Sequence, residues 1–169
     1  VGFRVIDEIA LRSGLRDWLQ RPSCELAVIT ARERGLVVLG RPSTYMNRSG
    51  DAAHWLLDEL RGSPETMLGI VDDIDLPLGL IRLRKSGGPG THNGLRDLCA
   101  KVGDRFPRLR VGVRGTDLSG DLADYVLSPF VGAESEAPNA AVLRAADAVD
   151  ASHRDGFERA MNVFNRPPT

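Results

Sequence analysis

Residues 80–113 read LIRLRKSGGPGTHNGLRDLCAKVGDRFPRLRVGV, and this stretch decides the fold class. Apolar and basic residues alternate over 80–83, which is typical of a half-exposed strand. A glycine-rich loop over 86–94 leads into a helical pattern over 95–102, and an apolar strand follows over 109–113. Strand, loop, helix and strand in this order predict an α/β fold.

The segments before this stretch also alternate between helix and strand. Apolar residues at helical spacing over 3–16 predict an amphipathic helix that ends near Gly14. Two β-rich runs, 25–30 and 36–39, predict a hairpin whose turn closes at Gly35. The N-terminal third is therefore expected to supply one helix and one hairpin.

The remaining elements follow from the same patterns. Residues 51–60 carry a helical apolar stripe, and residues 67–71 form a short apolar strand that runs into an acidic turn over 72–77. The tail is helical over 139–164, with an interruption near 152–156. Helices therefore alternate with strands over most of the chain.

Length and composition fit a single domain. A chain of 169 residues can bury about two thirds of its unfolded surface and needs no disulfide to hold a core. We expect one α/β domain over residues 1–169, a three-layer α/β/α arrangement around a mixed, mostly parallel sheet. In such folds polar sites gather at the carboxyl ends of strands.

Several classes of protein are excluded by composition. Hydrophobic residues make up 42% of the chain, but no apolar run approaches the roughly 20 residues that span a bilayer. The start at Val1 lacks the pattern of a signal peptide. Cys24 and Cys99 are the only cysteines, and their spacing fits neither a zinc site nor a redox pair. We expect a cytoplasmic protein with reduced, packing thiols.

Charge is distributed unevenly along the chain. The net charge is −1, which alone argues against a polyanionic partner. Residues 82–114, however, hold nine basic and two acidic side chains, a local charge of +7. These charges are either solvated faces of strands and a helix or a surface for an anion.

The glycine-rich loop is a candidate anion site. Glycines before a helix let backbone N–H groups approach a phosphate, and the helix dipole adds about half a positive charge there. Gly87 to Gly90 match neither common phosphate-binding pattern, so the loop equally fits a simple chain reversal. His92 and Asn93 beside it either bind a substrate carbonyl or water, or cap the helix.

Two other polar segments carry candidate residues. Asp72, Asp73 and Asp75 fall within four residues and can orient a base, bind a metal or cap a turn. Asn47 lies in a polar loop over 41–50, where asparagine is also common for local reasons. These residues by themselves leave the function open.

Several segments together resemble the bacterial peptidyl-tRNA hydrolase family, and the resemblance runs from Val1 to about Asn165. The matching motifs are PSTYMNRSG over 42–50, DDIDLP over 72–77, GTHNGL over 90–95, RLRVGV over 108–113, DYVLSPF over 124–130 and AMNVFN over 160–165.

The resemblance implies a role for each matching residue. Asp72 matches the aspartate that orients the catalytic histidine, and Asn47 and Asn93 match asparagines that hold the substrate and the attacking water. These three are the expected catalytic residues. Asn47 and Asn93 also belong to the expected substrate-binding set, with Tyr45, Met46, Gly90, His92, Arg84 and Arg108.

The implied reaction is hydrolysis of the ester between a nascent peptide and the terminal ribose of tRNA. It uses an activated water and neither a metal nor an organic cofactor. The basic segment then holds phosphates of the acceptor stem without reading bases. The resemblance also implies a cytoplasmic monomer with no membrane contact and no obligate protein partner.

The sequence departs from the family at two places. The family begins with a central strand, a Gly-Asn-Pro-Gly loop and an Arg-His-Asn motif that carries its catalytic histidine, and Val1 matches the residue that directly follows this motif. We therefore expect the 169 residues to be N-terminally incomplete and less than fully active by themselves. His54, His92 and His153 do not match that position. The family's basic clamp is also thinned over 118–124, which contains aspartates and no Lys or Arg.

Two other functions stay open from the sequence. One is a non-catalytic, RNA-binding relative of the hydrolase, which would bind tRNA with a steep salt dependence and release no peptide. The other is an inactive remnant, or an unrelated α/β domain that holds a small phosphate ligand at the glycine-rich loop. The retained Asn47, Asp72 and Asn93 favour the hydrolase.

Overall fold

Two compact units make up the computed structural model, which describes residues 1–31, 35–114 and 136–167. Each unit is assembled from segments that are distant in sequence. Unit one consists of Val1–Val5, Ile70–Arg84 and Arg108–Thr169, and unit two of Ile6–Gly69 and Lys85–Pro107.

Helix α1 (Gly2–Arg12) confirms the first amphipathic prediction. Val5, Ile9 and Ala10 are buried, and residues four and five positions after Val5 lie on its face of the helix. Gly14 follows the helix with a φ of +71°, the left-handed conformation that commonly ends helices at glycine.

Unit two contains an antiparallel sheet in the order β1-β2-β3. The predicted hairpin is confirmed and longer than expected, since β2 (Cys24–Ala31) pairs with β3 (Gly35–Pro42) over all eight residues. The short strand β1 (Leu19–Gln20), which the sequence did not indicate, adds to β2. The short connection at Gly35 requires antiparallel pairing.

Two helices cover this part of unit two. Helix α2 (Ser49–Glu59) packs against β3 and against helix α3 (Asn93–Val102). Their core includes buried Cys24, Leu26 and Ala52, with Val38, Trp55 and Leu56 packed on it. Burial raises the pKa of the Cys24 thiol, so this cysteine is a packing residue as predicted.

Unit one contains a mixed sheet in the order β4-β6-β5, formed by β4 (Gly69–Pro77), β5 (Ile81–Arg84) and β6 (Arg108–Arg114). The central strand β6 pairs antiparallel with β5. Helix α4 (Glu136–Asp155) packs on β6, and helix α5 (Phe157–Phe164) packs on β5. Gly156, with a φ of +94°, is the predicted interruption between these helices.

The predicted acidic turn over 72–77 is wrong. Strand β4 runs through Pro77, and the chain reverses two residues later at Gly79, whose φ is +89°. Burial on both faces holds the strand, because Val71 and Asp73 are buried on one face and Leu76 on the other, whereas Asp75 is exposed. A carboxylate with a buried partner can occupy a strand interior.

The predicted α/β class with a mixed sheet is confirmed. The described strands are divided between two three-stranded sheets, and antiparallel pairs outnumber parallel ones. No helix within the described parts of the chain is both long and apolar enough to cross a membrane.

Candidate active site

Unit two brings two of the predicted site segments together. A short 3-10 helix, Met46–Arg48, packs against helix α3. A Cβ atom added at Gly94 would lie 2.9 Å from Met46 Sδ and 2.9 Å from His92 Cε1. A side chain at position 94 would have to displace Met46 or His92, so the segments that carry Asn47 and Asn93 are neighbours.

The side chains at this junction face solvent. Tyr45 is 83% exposed and Met46 is 54% exposed, while Asn47 and Asn93 are also exposed. Large apolar side chains grouped on the surface beside polar ones are typical of a binding site.

Local hydrogen bonds fix the turn that carries Asn47. Thr44 Oγ1 donates to the Arg48 carbonyl at 3.1 Å, and Ser49 Oγ donates to the Met46 carbonyl at 2.8 Å. These bonds satisfy carbonyls that lie outside a regular helix. The turn therefore presents Asn47 on an ordered backbone.

Asn93 is the first residue of helix α3. Its Oδ1 accepts a hydrogen bond from Arg96 Nη1 at 3.2 Å, which orients the amide group. With Oδ1 engaged in this way, the Nδ2 group is the end of the amide that can donate to a carbonyl or an oxyanion. The positive end of the helix dipole adds to that field.

His92 caps helix α3. Its Nδ1 accepts the Leu95 backbone N–H at 3.0 Å, so the capping alternative is confirmed for this histidine. An imidazole that accepts at Nδ1 carries its proton on Nε2. The Nδ1 atom of His92 therefore caps the helix and is not available as a base.

The glycine-rich loop precedes this cap. Gly90 has a φ of +59°, a conformation that favours glycine, and it is exposed. Gly87 donates its backbone N–H to the Asp104 carbonyl at 3.3 Å, which ties the loop to the end of α3. Anion binding by this loop stays a prediction.

In unit one, Asp72 lies on strand β4, half-buried and on the opposite face from Asp73. Its carboxylate lies near the backbone nitrogen of Val1. A Cβ atom added at Gly2 would lie 2.7 Å from the Ile70 carbonyl oxygen. Asp72 is therefore beside the start of helix α1.

Asp73 is 4% exposed and forms an ion pair with Arg110 on β6, with Oδ2 3.0 Å from Nε. Its Oδ1 accepts the Asp75 backbone N–H at 2.9 Å. Asp72 and Asp73 thus point to opposite faces of the sheet, which argues against a shared metal site. Within residues 1–31, 35–114 and 136–167, no three His, Cys, Asp or Glu side chains form a group that could hold a metal ion.

The basic strands present only part of their charge to solvent. Arg82 pairs with Arg110 and Arg84 pairs with Arg108 across β5 and β6, so all four lie on one sheet face. Arg82 and Arg84 are exposed, whereas Arg108 is only 2% exposed. Arg84 can therefore reach a phosphate directly, and Arg108 has the burial of a structural residue.

Known proteins resemble this chain over its full length. The profile of the peptidyl-tRNA hydrolase family matches residues 1–169. The chain belongs to this family. A peptidyl-tRNA hydrolase of Roseiflexus castenholzii is 43% identical over 171 residues, which cover 99% of this chain and 79% of the relative. The Chloroflexus aurantiacus hydrolase is 42% identical, with 98% and 88% covered.

Solved structures agree with these relatives. The crystal structure of a peptidyl-tRNA hydrolase from Acinetobacter baumannii superposes with a TM-score of 0.84 at 30% identity, covering 96% of this chain and 83% of that one. A complex of a peptidyl-tRNA hydrolase with N-propanol superposes with a TM-score of 0.86 at 29% identity. The fold and the family are thus shown together.

Sequence reasoning missed the contact that Asp97 makes and the ion-pair partner of Asp73. Asp97 of α3 accepts the Gly50 backbone N–H, and Asp73 pairs with Arg110. Asp97 lies four residues after Asn93, a spacing that signals a shared helix face. The thinned segment 118–124 and the 124–130 motif lie outside the described residues.

Proposed function

We propose that this chain hydrolyses peptidyl-tRNA by cleaving the ester between the peptide and the terminal ribose of tRNA. Its membership of the peptidyl-tRNA hydrolase family supports the reaction. The single structural observation that carries the proposal is the packing of Met46 and His92 over Gly94. That contact makes the segments of Asn47 and Asn93 neighbours on an exposed surface.

The chemistry follows from the two amide groups. A water oxygen attacks the ester carbonyl carbon, and negative charge develops on the carbonyl oxygen. An asparagine Nδ2–H group that donates to this oxygen stabilises the transition state, typically by about 2.7–4 kcal/mol per donor. The second asparagine orients the water. The bond between the acyl carbon and the ribose oxygen then breaks, and the ribose oxygen takes up the proton removed from the water and leaves as a hydroxyl.

A base must take the proton from the attacking water. By the resemblance this is a histidine of the family segment directly before the position that Val1 matches, and Asp72 orients it. The position of Asp72 near the backbone nitrogen of Val1 supports that role. A carboxylate beside a histidine favours the imidazolium that forms during proton transfer.

Phosphates of the acceptor stem would lie along the basic segment. Arg84 is the exposed arginine of the predicted substrate set, and Arg82 extends the same face. Such contacts are independent of base sequence, which suits an enzyme that accepts many tRNAs. The proposal includes a cytoplasmic monomer that needs no cofactor.

The test compares Asn93→Ala and Asn47→Ala with Asn162→Ala, an exposed asparagine on helix α5. The protein expressed from its own gene is mixed with an N-acetylated aminoacyl-tRNA, and release of the acetylated amino acid is followed in single turnovers. We expect each of the first two variants to lose about 10²–10³ in rate. Asn162→Ala keeps the wild-type rate.

Two outcomes would contradict the proposal. If the protein binds tRNA and releases nothing, it is the non-catalytic RNA-binding relative. If Asn93→Ala and Asn47→Ala turn over as fast as Asn162→Ala, hydrolysis occurs elsewhere in the molecule.

A further inference from the structure

The first turn of helix α2 takes its cap from another helix. Arg48 precedes the helix and makes no capping bond with its side chain. Asp97, in the middle of helix α3, accepts the Gly50 backbone N–H at its Oδ2, at a distance of 2.7 Å. Helix starts leave backbone N–H groups without intrahelical partners, and this one is satisfied by a residue 47 positions away.

The two helices meet at backbone contact around this bond. Gly50 is buried, and a Cβ atom added there would lie 2.6 Å from the Asp97 carbonyl oxygen and 2.9 Å from Oδ2. A side chain at position 50 would push the helices apart. The approach therefore requires glycine on α2 and a short acceptor on α3.

Two charged side chains, Lys101 and Asp51, lie beside the Gly50–Asp97 bond. The Lys101 ammonium binds the Asp51 carboxylate and lies 3.7 Å from Asp97 Oδ1. Hydrogen bonds from Lys101 and then from Arg48 hold the pKa of Asp51 below its ordinary value. Lys101 thus compensates the negative charge of Asp97, which is 18% exposed.

The position of Asp97 links the two asparagine segments. Asp97 follows Asn93 by four residues, about one helical turn, and Gly50 follows Asn47 by three residues. One carboxylate therefore joins the turn that presents Asn47 to the helix that presents Asn93. A charged acceptor makes this bond shorter and stronger than one between neutral groups.

We propose that Asp97 is a positioning residue that sets the separation of Asn47 and Asn93. This role rests on the proposed hydrolase function, because the two amides must reach one substrate carbonyl and one water. Without the bond, Met46 still packs over Gly94 and Lys101 still binds Asp51, but the backbone of Gly50 is no longer fixed to α3. A misplacement of about 1 Å can cost about 10²-fold in rate.

The kinetic test uses Asp97→Ala, Asp97→Asn and the control Leu98→Ala. Asparagine keeps an acceptor at the position of Oδ2, and Leu98 is the adjacent buried residue whose truncation weakens the core without touching the cap. All variants are compared as folded protein, below their melting temperatures. We expect Asp97→Ala to lower kcat by about 10–100-fold with KM nearly unchanged.

The controls separate positioning from stability. Asp97→Asn recovers most of kcat, and Leu98→Ala lowers the melting temperature while kcat stays near that of the wild type. If Asp97→Ala keeps its kcat, or if Leu98→Ala loses as much, Asp97 is a structural residue only and the inference is overturned.

A second measurement does not depend on activity. Nuclear Overhauser contacts between the Met46 methyl group and Gly94, and hydrogen exchange at the Gly50 amide, are compared between the wild type and Asp97→Ala. We expect weaker contacts and faster exchange in the variant. If the contacts and the exchange are unchanged, the inference is overturned whether or not the wild type is active. If the wild type hydrolyses nothing but the contacts and the exchange change as expected, only the proposed function is contradicted.

Discussion

At the scale of single residues, the candidate site depends on a glycine, Gly94, that leaves room for the side chains of Met46 and His92. Gly94 has Met46 Sδ and the His92 ring within 2.9 Å of where a Cβ would be. The His92 ring can stay there because its Nδ1 is bound to the Leu95 N–H. The helix cap and the packing of the site are thus one arrangement.

The cap leads to a prediction for His92. Replacement by Ala removes the acceptor for the Leu95 N–H, and we expect a loss of about 1 kcal/mol, within the usual 0.5–2 kcal/mol for a lost cap. His92→Asn keeps an acceptor of similar reach and should lose clearly less. Urea denaturation of the wild type and both variants measures the difference. Equal losses for Ala and Asn would show that the ring's packing matters and the cap does not.

At the scale of elements, strand β4 differs most from expectation. Its three aspartates suggested a turn, since Asp is common in turns and rare inside strands. The strand forms because Asp73 is paired with Arg110 of the neighbouring strand β6. Arg110 Nε lies 3.0 Å from Asp73 Oδ2, which makes an ion pair, but within the described part of the chain its N–H is not aligned for a hydrogen bond.

Removal of Asp73 should destabilise unit one. Asp73→Ala leaves Arg110 without its carboxylate, and breaking a buried pair costs about 3–5 kcal/mol. Arg110 is 26% exposed. Because water can solvate its unpaired guanidinium in part, we expect a smaller loss of about 2–3 kcal/mol. Thermal denaturation monitored by circular dichroism measures this loss.

The matched control is Asp75→Ala, an exposed aspartate on the same strand. It should change stability by less than about 0.5 kcal/mol. The double variant Asp73→Ala with Arg110→Met should regain part of the loss, because no unpaired charge is left behind. A double variant less stable than Asp73→Ala would argue against the pairing.

At the scale of the whole molecule, charge is segregated. The net charge is −1, yet residues 82–114 carry +7, which leaves −8 for the rest of the chain. Of the arginines in the two basic strands, Arg82 and Arg84 face solvent and Arg108 is buried. The basic segment is therefore only in part a surface for an anion.

This distribution predicts how the proposed binding of tRNA should depend on salt. The binding constant K falls as salt concentration rises, and each lost phosphate contact makes the slope of log K against log salt concentration less steep by about 0.7–1. We expect Arg84→Gln to show this decrease between about 50 and 200 mM salt. Fluorescence anisotropy with a labelled tRNA measures the slope for both proteins.

Arg16→Gln is the control for this measurement, because Arg16 is exposed and lies outside the basic segment. Its slope should equal that of the wild type. Equal slopes for Arg84→Gln and Arg16→Gln would place the phosphates on another part of the molecule.

Local patterns in the sequence predicted most of the elements. Helices α1 to α5 and the hairpin β2–β3 follow from apolar periodicity and from Gly14, Gly35 and Gly156. Such signals extend over only a few residues, so they survive without knowledge of the rest of the chain. The motifs over 42–50, 72–77 and 90–95 likewise identified the family that the comparisons show.

Contacts between distant residues were decided by the tertiary structure alone. The Gly50–Asp97 bond, the Asp73–Arg110 pair and the burial of Arg108 each depend on which elements pack together. The same holds for the division of the strands between two sheets. No periodicity encodes these partners, because a buried polar group is stable only beside the particular group that satisfies it.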